Sequence, residues 1–220
     1  MGAQALMLDD FSTGSSSLFI NEATPINGSL STGAYWGGSR GVGGRLVGPT
    51  NNDGYLITVA GGELFASRLA NTPSTGLALK LAYGATARSG DSFDYGNDLN
   101  QDLSGMQFIR VSYESDNFFT FNVFLQSSTQ GTIAYTGLGD PNETEMEIWF
   151  AGSPPDLSDI DGIEVRMTNF VIEPGATTND VIFLDEIELV GAVPEPFSMV
   201  GLGLVGALAL RRKRQNSGSR

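Results

Sequence analysis

Carboxylates are the only chemistry-bearing side chains that recur in a pattern along this sequence. Asp185 lies in an alternating run where Val181, Phe183, Asp185, Ile187 and Leu189 share one face. A carboxylate on an apolar face is costly unless it is paired or coordinates a metal. Asp185 therefore points to a hard cation, to a buried pair with Arg110 or Arg166, or to exposure near a strand end. Glu143, Glu145 and Glu147 share a strand face with Trp149, while Met146, Ile148 and Phe150 share the other. Acids two residues apart on a strand are about 7 Å apart, not far from the about 5–5.5 Å of a retaining glycosidase pair. Nothing around them sets one apart as acid and the other as base, so a solvated strand face is the reading we favour. The segment Asp159-Ile160-Asp161-Gly162-Ile163-Glu164 resembles half a calcium loop but lacks the bidentate acid further on. Asp161-Gly162 reads more simply as a turn before a strand. Tyr35-Trp36, followed by Gly37-Gly38, offers flat aromatic surface to a sugar ring. Trp36 serves equally as a plug at the end of a core. Gly41-Val42-Gly43-Gly44 has neither the lysine nor the strand-to-helix setting of a phosphate loop, so a nucleotide site is rejected.

Two absences narrow the chemistry further. The 220 residues include no His and no Cys. Ser-His-Asp and Cys-His catalysis, the usual zinc ligand sets, disulfides and iron–sulfur clusters are thereby excluded. What remains is carboxylate chemistry, hard-cation binding, and recognition of carbohydrate or protein. Five of the 12 basic residues fall in the last ten positions, and residues 6–193 hold 7 Lys and Arg against 24 Asp and Glu, a net charge of −17. Such a body repels nucleic acid.

The elements that must position these side chains are strands. Period-two runs separated by Gly, Asn, Asp, Pro and Ser occur at 6–11, 55–60, 64–68, 77–83, 107–113, 118–126, 132–136, 145–150, 163–170 and 181–190. About ten strands at this spacing predict an all-β fold, a two-sheet antiparallel β-sandwich. Asp102-Leu103-Ser104 and Asp156-Leu157-Ser158 each precede a strand that carries an arginine, Arg110 and Arg166. We read this echo as a repeated sandwich corner.

The first and last runs, Leu8-Asp9-Asp10-Phe11 and Ile182-Phe183-Leu184-Asp185-Glu186-Ile187, are similar to the ends of jelly-roll carbohydrate-binding modules. The resemblance covers about a dozen residues. It implies that these strands pair and that Asp9 or Asp10 joins Asp185 around a structural Ca²⁺, the only cofactor expected. The Glu143–Glu147 run departs from the Glu-x-Asp-x-x-Glu pattern of jelly-roll glycosidases.

The C-terminus has three parts in order: Val193-Pro194-Glu195-Pro196, an apolar run to Leu210, and Arg211-Arg212-Lys213-Arg214. The run from Phe197 is 14 residues, short of the about 20 that span a bilayer, and the basic cluster predicts that its far end stays cytoplasmic. These residues resemble the PEP-CTERM sorting signal of Gram-negative surface proteins. The resemblance implies a short C-terminal apolar helix, transient anchoring in the inner membrane and recognition by an exosortase. A polar extension, Gln215–Arg220, follows and departs from the usual ending. Ala3-Gln4-Ala5 has the form of a signal-peptide cleavage site, so residues 1–5 are read as the remnant of a leader whose start codon lies upstream.

The sequence thus predicts a leader remnant at 1–5, a β-sandwich ectodomain at 6–192, a sorting tail at 193–214 and an extension at 215–220. The expected protein is exported, non-enzymatic, and destined for the cell surface or extracellular matrix. A carbohydrate-binding module for envelope or extracellular polysaccharide is the alternative, and an acidic glycosidase the third reading.

Overall fold

A computed structural model describes residues 5–47, 54–68, 76–96, 99–150, 157–168 and 181–191. The sorting motif, the apolar run and the polar extension lie outside the described residues. Among those described, no helix is long and apolar enough to cross a membrane.

The chain forms strands β1 (Ala5–Asp9), β2 (Ser16–Asn21), β3 (Ile26–Thr32), β4 (Ser39–Val47), β5 (Gly54–Ala60), β6 (Glu63–Arg68), β7 (Gly76–Tyr83) and β8 (Ala85–Ser89). These are followed by β9 (Ser92–Tyr95), β10 (Met106–Ser115), β11 (Phe119–Ser127), β12 (Gly131–Gly139), β13 (Glu145–Trp149), β14 (Gly162–Thr168) and β15 (Val181–Gly191). Two antiparallel sheets face each other, as expected. One sheet has seven strands in the order β13-β10-β15-β6-β5-β2, with β1 added beside β15; the other has the six-strand order β12-β11-β14-β7-β4-β3. The pairing of first and last strands expected from the jelly-roll likeness is present, with Leu6 opposite Leu189 and Met7 opposite Glu188. Ala5, assigned above to the leader remnant, is the first residue of β1 and pairs with Val190.

The core forms between the sheets because alternate residues of each strand meet there. β11 shows the rule most plainly: Phe119, Phe121, Val123 and Leu125 are fully buried, while Thr120, Asn122, Phe124 and Gln126 face outward and are half-buried. Leu79, Leu81, Val165 and Met167 join them from the same sheet, and Ile57, Leu64, Ile109 and Val111 from the other. The echoed corners sit side by side at one end, where Leu103 donates its N–H to the Leu157 carbonyl at 2.7 Å and both side chains are buried.

Five strands were missed in the sequence: β2, β3, β4, β8 and β9. β4 is the instructive one, because it is built around the Gly41–Gly44 run, which shows no alternation. Its glycines are required by what covers both faces. A Cβ on Gly41 would run into the Phe93 ring from β9, one on Gly43 would lie 3.1 Å from it, and one on Gly44 would collide with Ile20. The β8–β9 hairpin therefore lies against the outer face of the six-stranded sheet, with Phe93 seated over β4. Asp91, at its tip, fastens it to that sheet through Arg45 (2.7 Å) and Lys80 (3.3 Å). Burial alone would raise the Asp91 carboxyl, but the hydrogen bond from Arg45 and the Lys80 charge outweigh it and hold the group below its ordinary value.

Candidate functional site

The structure separates the three acids expected around calcium. Asp9 is buried and faces across the sandwich, where the Arg40 Nη1 group donates to both of its oxygens at 3.1 and 3.0 Å. The Phe11 N–H (2.8 Å) and the Tyr83 hydroxyl (3.2 Å) complete its shell. Burial, and then the Asp9 charge, push Tyr83 well above the phenol range, so it remains a proton donor. Asp10 is exposed and accepts hydrogen bonds from the N–H (3.0 Å) and hydroxyl (2.7 Å) of Ser12.

Asp185 is also exposed, off the apolar face on which strict alternation places it, and the reason lies in the register of β15. Ser112 pairs with Glu186 and Tyr113 with Leu184, so Asp185 is the extra residue of a β-bulge. The bulge shifts the alternation by one: Ile182 and Leu184 face the core before it, and Ile187 and Leu189 after it. Phe183 is thereby turned outward, stacked on Phe65 at 4.8 Å between centroids. Neither arginine considered as its partner serves Asp185. Arg110 binds Glu145 (3.1 Å), Glu147 (2.9 Å) and Glu188 (3.0 Å), and Arg166 binds Glu164. Among the described residues, no group of three metal-ligating side chains occurs.

The aromatic candidates are likewise reassigned. Trp36 is only 8% exposed and belongs to the core, which supports the plug reading. Tyr35 is covered by the Arg40 guanidinium at 4.5 Å and donates its hydroxyl to the Thr13 carbonyl at 3.1 Å. The two do not form an open surface for a sugar. Glu145, Glu147 and Trp149 do share an exposed face, as expected, with Met146 and Ile148 buried behind them. Both carboxylates are bound to the same guanidinium, and Trp149 rests on Phe108 at 4.5 Å. Asp161 is not in a turn: it is buried, and its two oxygens accept the N–H groups of Asn100 (3.1 Å) and Ser128 (3.0 Å). Gly162 next to it opens β14 and is small because the Tyr95 ring lies against it.

A different surface brings binding chemistry together. The β8–β9 hairpin covers the β3–β4–β7 side of the six-stranded sheet and reaches Gly162 and Glu164 of β14 through Tyr95, leaving open the outer face of β12 and β11 and, on β14, Arg166. Register places Thr136, Asn122 and Arg166 in one row, Ala134, Phe124 and Glu164 in the next, and Thr132, Gln126 and Gly162 in a third. The Arg166 guanidinium carbon lies over the Phe124 ring, 4.3 Å from its centroid, steered there by buried Glu164. Glu164 in turn accepts the Tyr95 hydroxyl at 3.4 Å. Burial, and then that carboxylate's charge, push the Tyr95 hydroxyl far above its ordinary value, so it stays protonated. Thr136 and Thr132 donate to the side-chain oxygens of Asn122 (2.9 Å) and Gln126 (2.7 Å), leaving the amide nitrogens as donors. Where the floor meets the hairpin there is a cavity of about 270 Å³, lined by Phe93, Asp94, Tyr95 and Gly96 on one side and by 126–128 and Asp161 on the other. Sequence reading missed this site. Phe124, Gln126 and Arg166 were legible as strand residues, but only the hairpin gives their face a wall.

No protein-family model and no curated protein matches the chain. Solved structures similar to it include the family 11 carbohydrate-binding module of the cellulosomal cellulase Lic26A-Cel5E of Clostridium thermocellum, at 16% identity over 89% of this chain and 99% of that one, with a TM-score of 0.41. A mutant of a family 29 carbohydrate-binding module, CBM29-2, is similar at 10% identity over 83% and 99%, with a TM-score of 0.33. The agarase AgWH50C is similar at 11% identity over 86% of this chain but 25% of its own, with a TM-score of 0.43.

Proposed function

We propose that the protein is an exported, non-enzymatic surface or matrix component of a Gram-negative bacterium whose sandwich binds an extracellular polysaccharide. The observation that carries the binding role is the walled outer face of β12, β11 and β14. It combines the Phe124 ring with the Arg166 guanidinium over it, ordered amide groups at Asn122 and Gln126, and a polar cavity beside Tyr95. Apolar faces of sugar rings stack on such planes, and their hydroxyls exchange hydrogen bonds with amides. Export is supported by the Val193–Pro196 motif and the Arg211–Arg214 cluster, through which an exosortase in the inner membrane would act. A non-catalytic role fits the two exposed carboxylates of β13, which share one arginine and so lack the contrasting environments of a general acid and base.

The test is affinity electrophoresis of the full chain through gels containing laminarin, mixed-linkage β-glucan, agarose or xylan. Retardation by at least one polymer is expected, weakened about tenfold in Phe124→Ala and Arg166→Ala. Trp149→Ala, on the opposite sheet, should leave it unchanged. Equal mobility in every gel would overturn the binding role. Terminal-peptide mass analysis of protein from its native host tests sorting. A form ending near Pro196 is expected, and a cytoplasmic form retaining Arg220 would overturn it.

A further inference from the structure

Resting on that reading of the site, we propose that this face takes a neutral polysaccharide by a chain end and not along its length. The open floor is narrow. Neighbouring strands lie about 4.8 Å apart, so β12 to β14 spans only about 10 Å before a bound chain meets the hairpin. The wall is fastened, not draped: Phe93 is seated over Gly41 and Gly43, Asp91 is held by Arg45 and Lys80, and the Tyr95 ring rests on Gly162. At its foot lies the cavity of about 270 Å³. That is below the about 300–1,000 Å³ of pockets that enclose drug-sized ligands, and it suits a single sugar ring. On the other side nothing comparable stands among the described residues: Thr132, Ala134 and Thr136 of the edge strand β12 are exposed. A chain therefore enters over β12, crosses the Phe124–Arg166 stack and terminates against Tyr95.

The charge of the ligand follows from the pairing of the lining. Arg166 is neutralised by Glu164, and both Asp161 oxygens are taken by backbone N–H groups. Asp94 and Asp161 line the cavity, with no basic residue among the described residues of its lining. A uronate or sulfated sugar would meet negative charge there, whereas hydroxyls find Gln126, Ser128 and Tyr95.

Stoichiometry distinguishes the two modes. Titration calorimetry of the full chain is run with laminarihexaose, cellohexaose and agarohexaose, and with the parent polymers fractionated by length. Attachment by an end predicts one protein per polymer chain at every length, and an affinity per chain that stops rising beyond about three sugars. The variant Ser128→Trp, which fills the cavity, should lose at least tenfold, with its amide spectrum showing an intact fold. Saturation that scales with polymer length, or a Ser128→Trp variant of full affinity, would overturn chain-end attachment while leaving glycan binding in place. Failure of every probe to bind would overturn both.

Discussion

Asp9 of β1 and Arg40 of β4 meet inside the sandwich as a two-pronged ion pair at 3.0–3.1 Å, with both side chains 1% exposed. The pair ties the first strand of the seven-stranded sheet to the six-stranded sheet, and Arg40 extends the link to the Thr13 (3.0 Å) and Gly14 (3.3 Å) carbonyls. Removing one member of such a pair strands a charge and typically costs about 3–5 kcal/mol, whereas an apolar replacement of both can be nearly neutral. Asp9→Asn and Arg40→Met should each lower the stability measured by urea unfolding by that much. The double variant Asp9→Leu/Arg40→Met should recover most of the loss. Additive losses in the double-mutant cycle would show that the two residues act independently.

The two tryptophans should answer differently to solvent. Trp36 is buried and Trp149 is 53% exposed. In single-tryptophan variants, acrylamide should quench Trp149 strongly and Trp36 weakly. Trp36→Ala should cost about 3–5 kcal/mol, as large-to-small core changes do, without altering the glycan affinity of the folded fraction. Loss of affinity without loss of stability would return Trp36 to the sugar site.

Gly41 is the floor on which the hairpin rests. Gly41→Val places side-chain atoms where the Phe93 ring sits, and overpacking of this kind costs about 1–3 kcal/mol. The expected result is hydrogen-exchange protection lost in β8–β9 and kept in β11 and β14. An unchanged hairpin would mean that Phe93 can reseat elsewhere.

Acid should release the same hairpin. The Asp91 carboxyl lies below its ordinary value in the fold, its burial outweighed by Arg45 and Lys80. The group therefore binds fewer protons folded than unfolded, and its stabilisation is complete above the ordinary carboxylate value near 4. That stabilisation is lost as pH falls through the lowered folded value. The Phe93 ring resonances should hold constant from pH 7 to about 5 and shift toward free values below about 4. In Asp91→Asn the shift should already be present at neutral pH and no longer follow pH. A wild-type transition near pH 6 would assign the coupling to another group.

What could be read along the chain is what depends on neighbours in sequence. The ten strands with clean alternation were legible, as were the two-sheet architecture and the exposed Glu145–Glu147–Trp149 face, because period two reports burial directly. The closing of β1 onto β15 was expected only from the likeness of their residues to the ends of jelly-roll modules. The sorting motif is also a linear feature. Three kinds of information were not linear. β4 was hidden because its glycines answer to Phe93 and Ile20, residues far away in sequence, and their lack of side chains erases the alternation. Asp185 was misplaced because one bulged residue reverses every side chain beyond it, and nothing local marks that residue. Asp9 was assigned to a metal because its partner Arg40 is 31 residues away on the facing sheet. The candidate binding face belongs with these. Alternation turned Phe124 and Gln126 outward, but only the hairpin folding back over β4 made their surface a walled site.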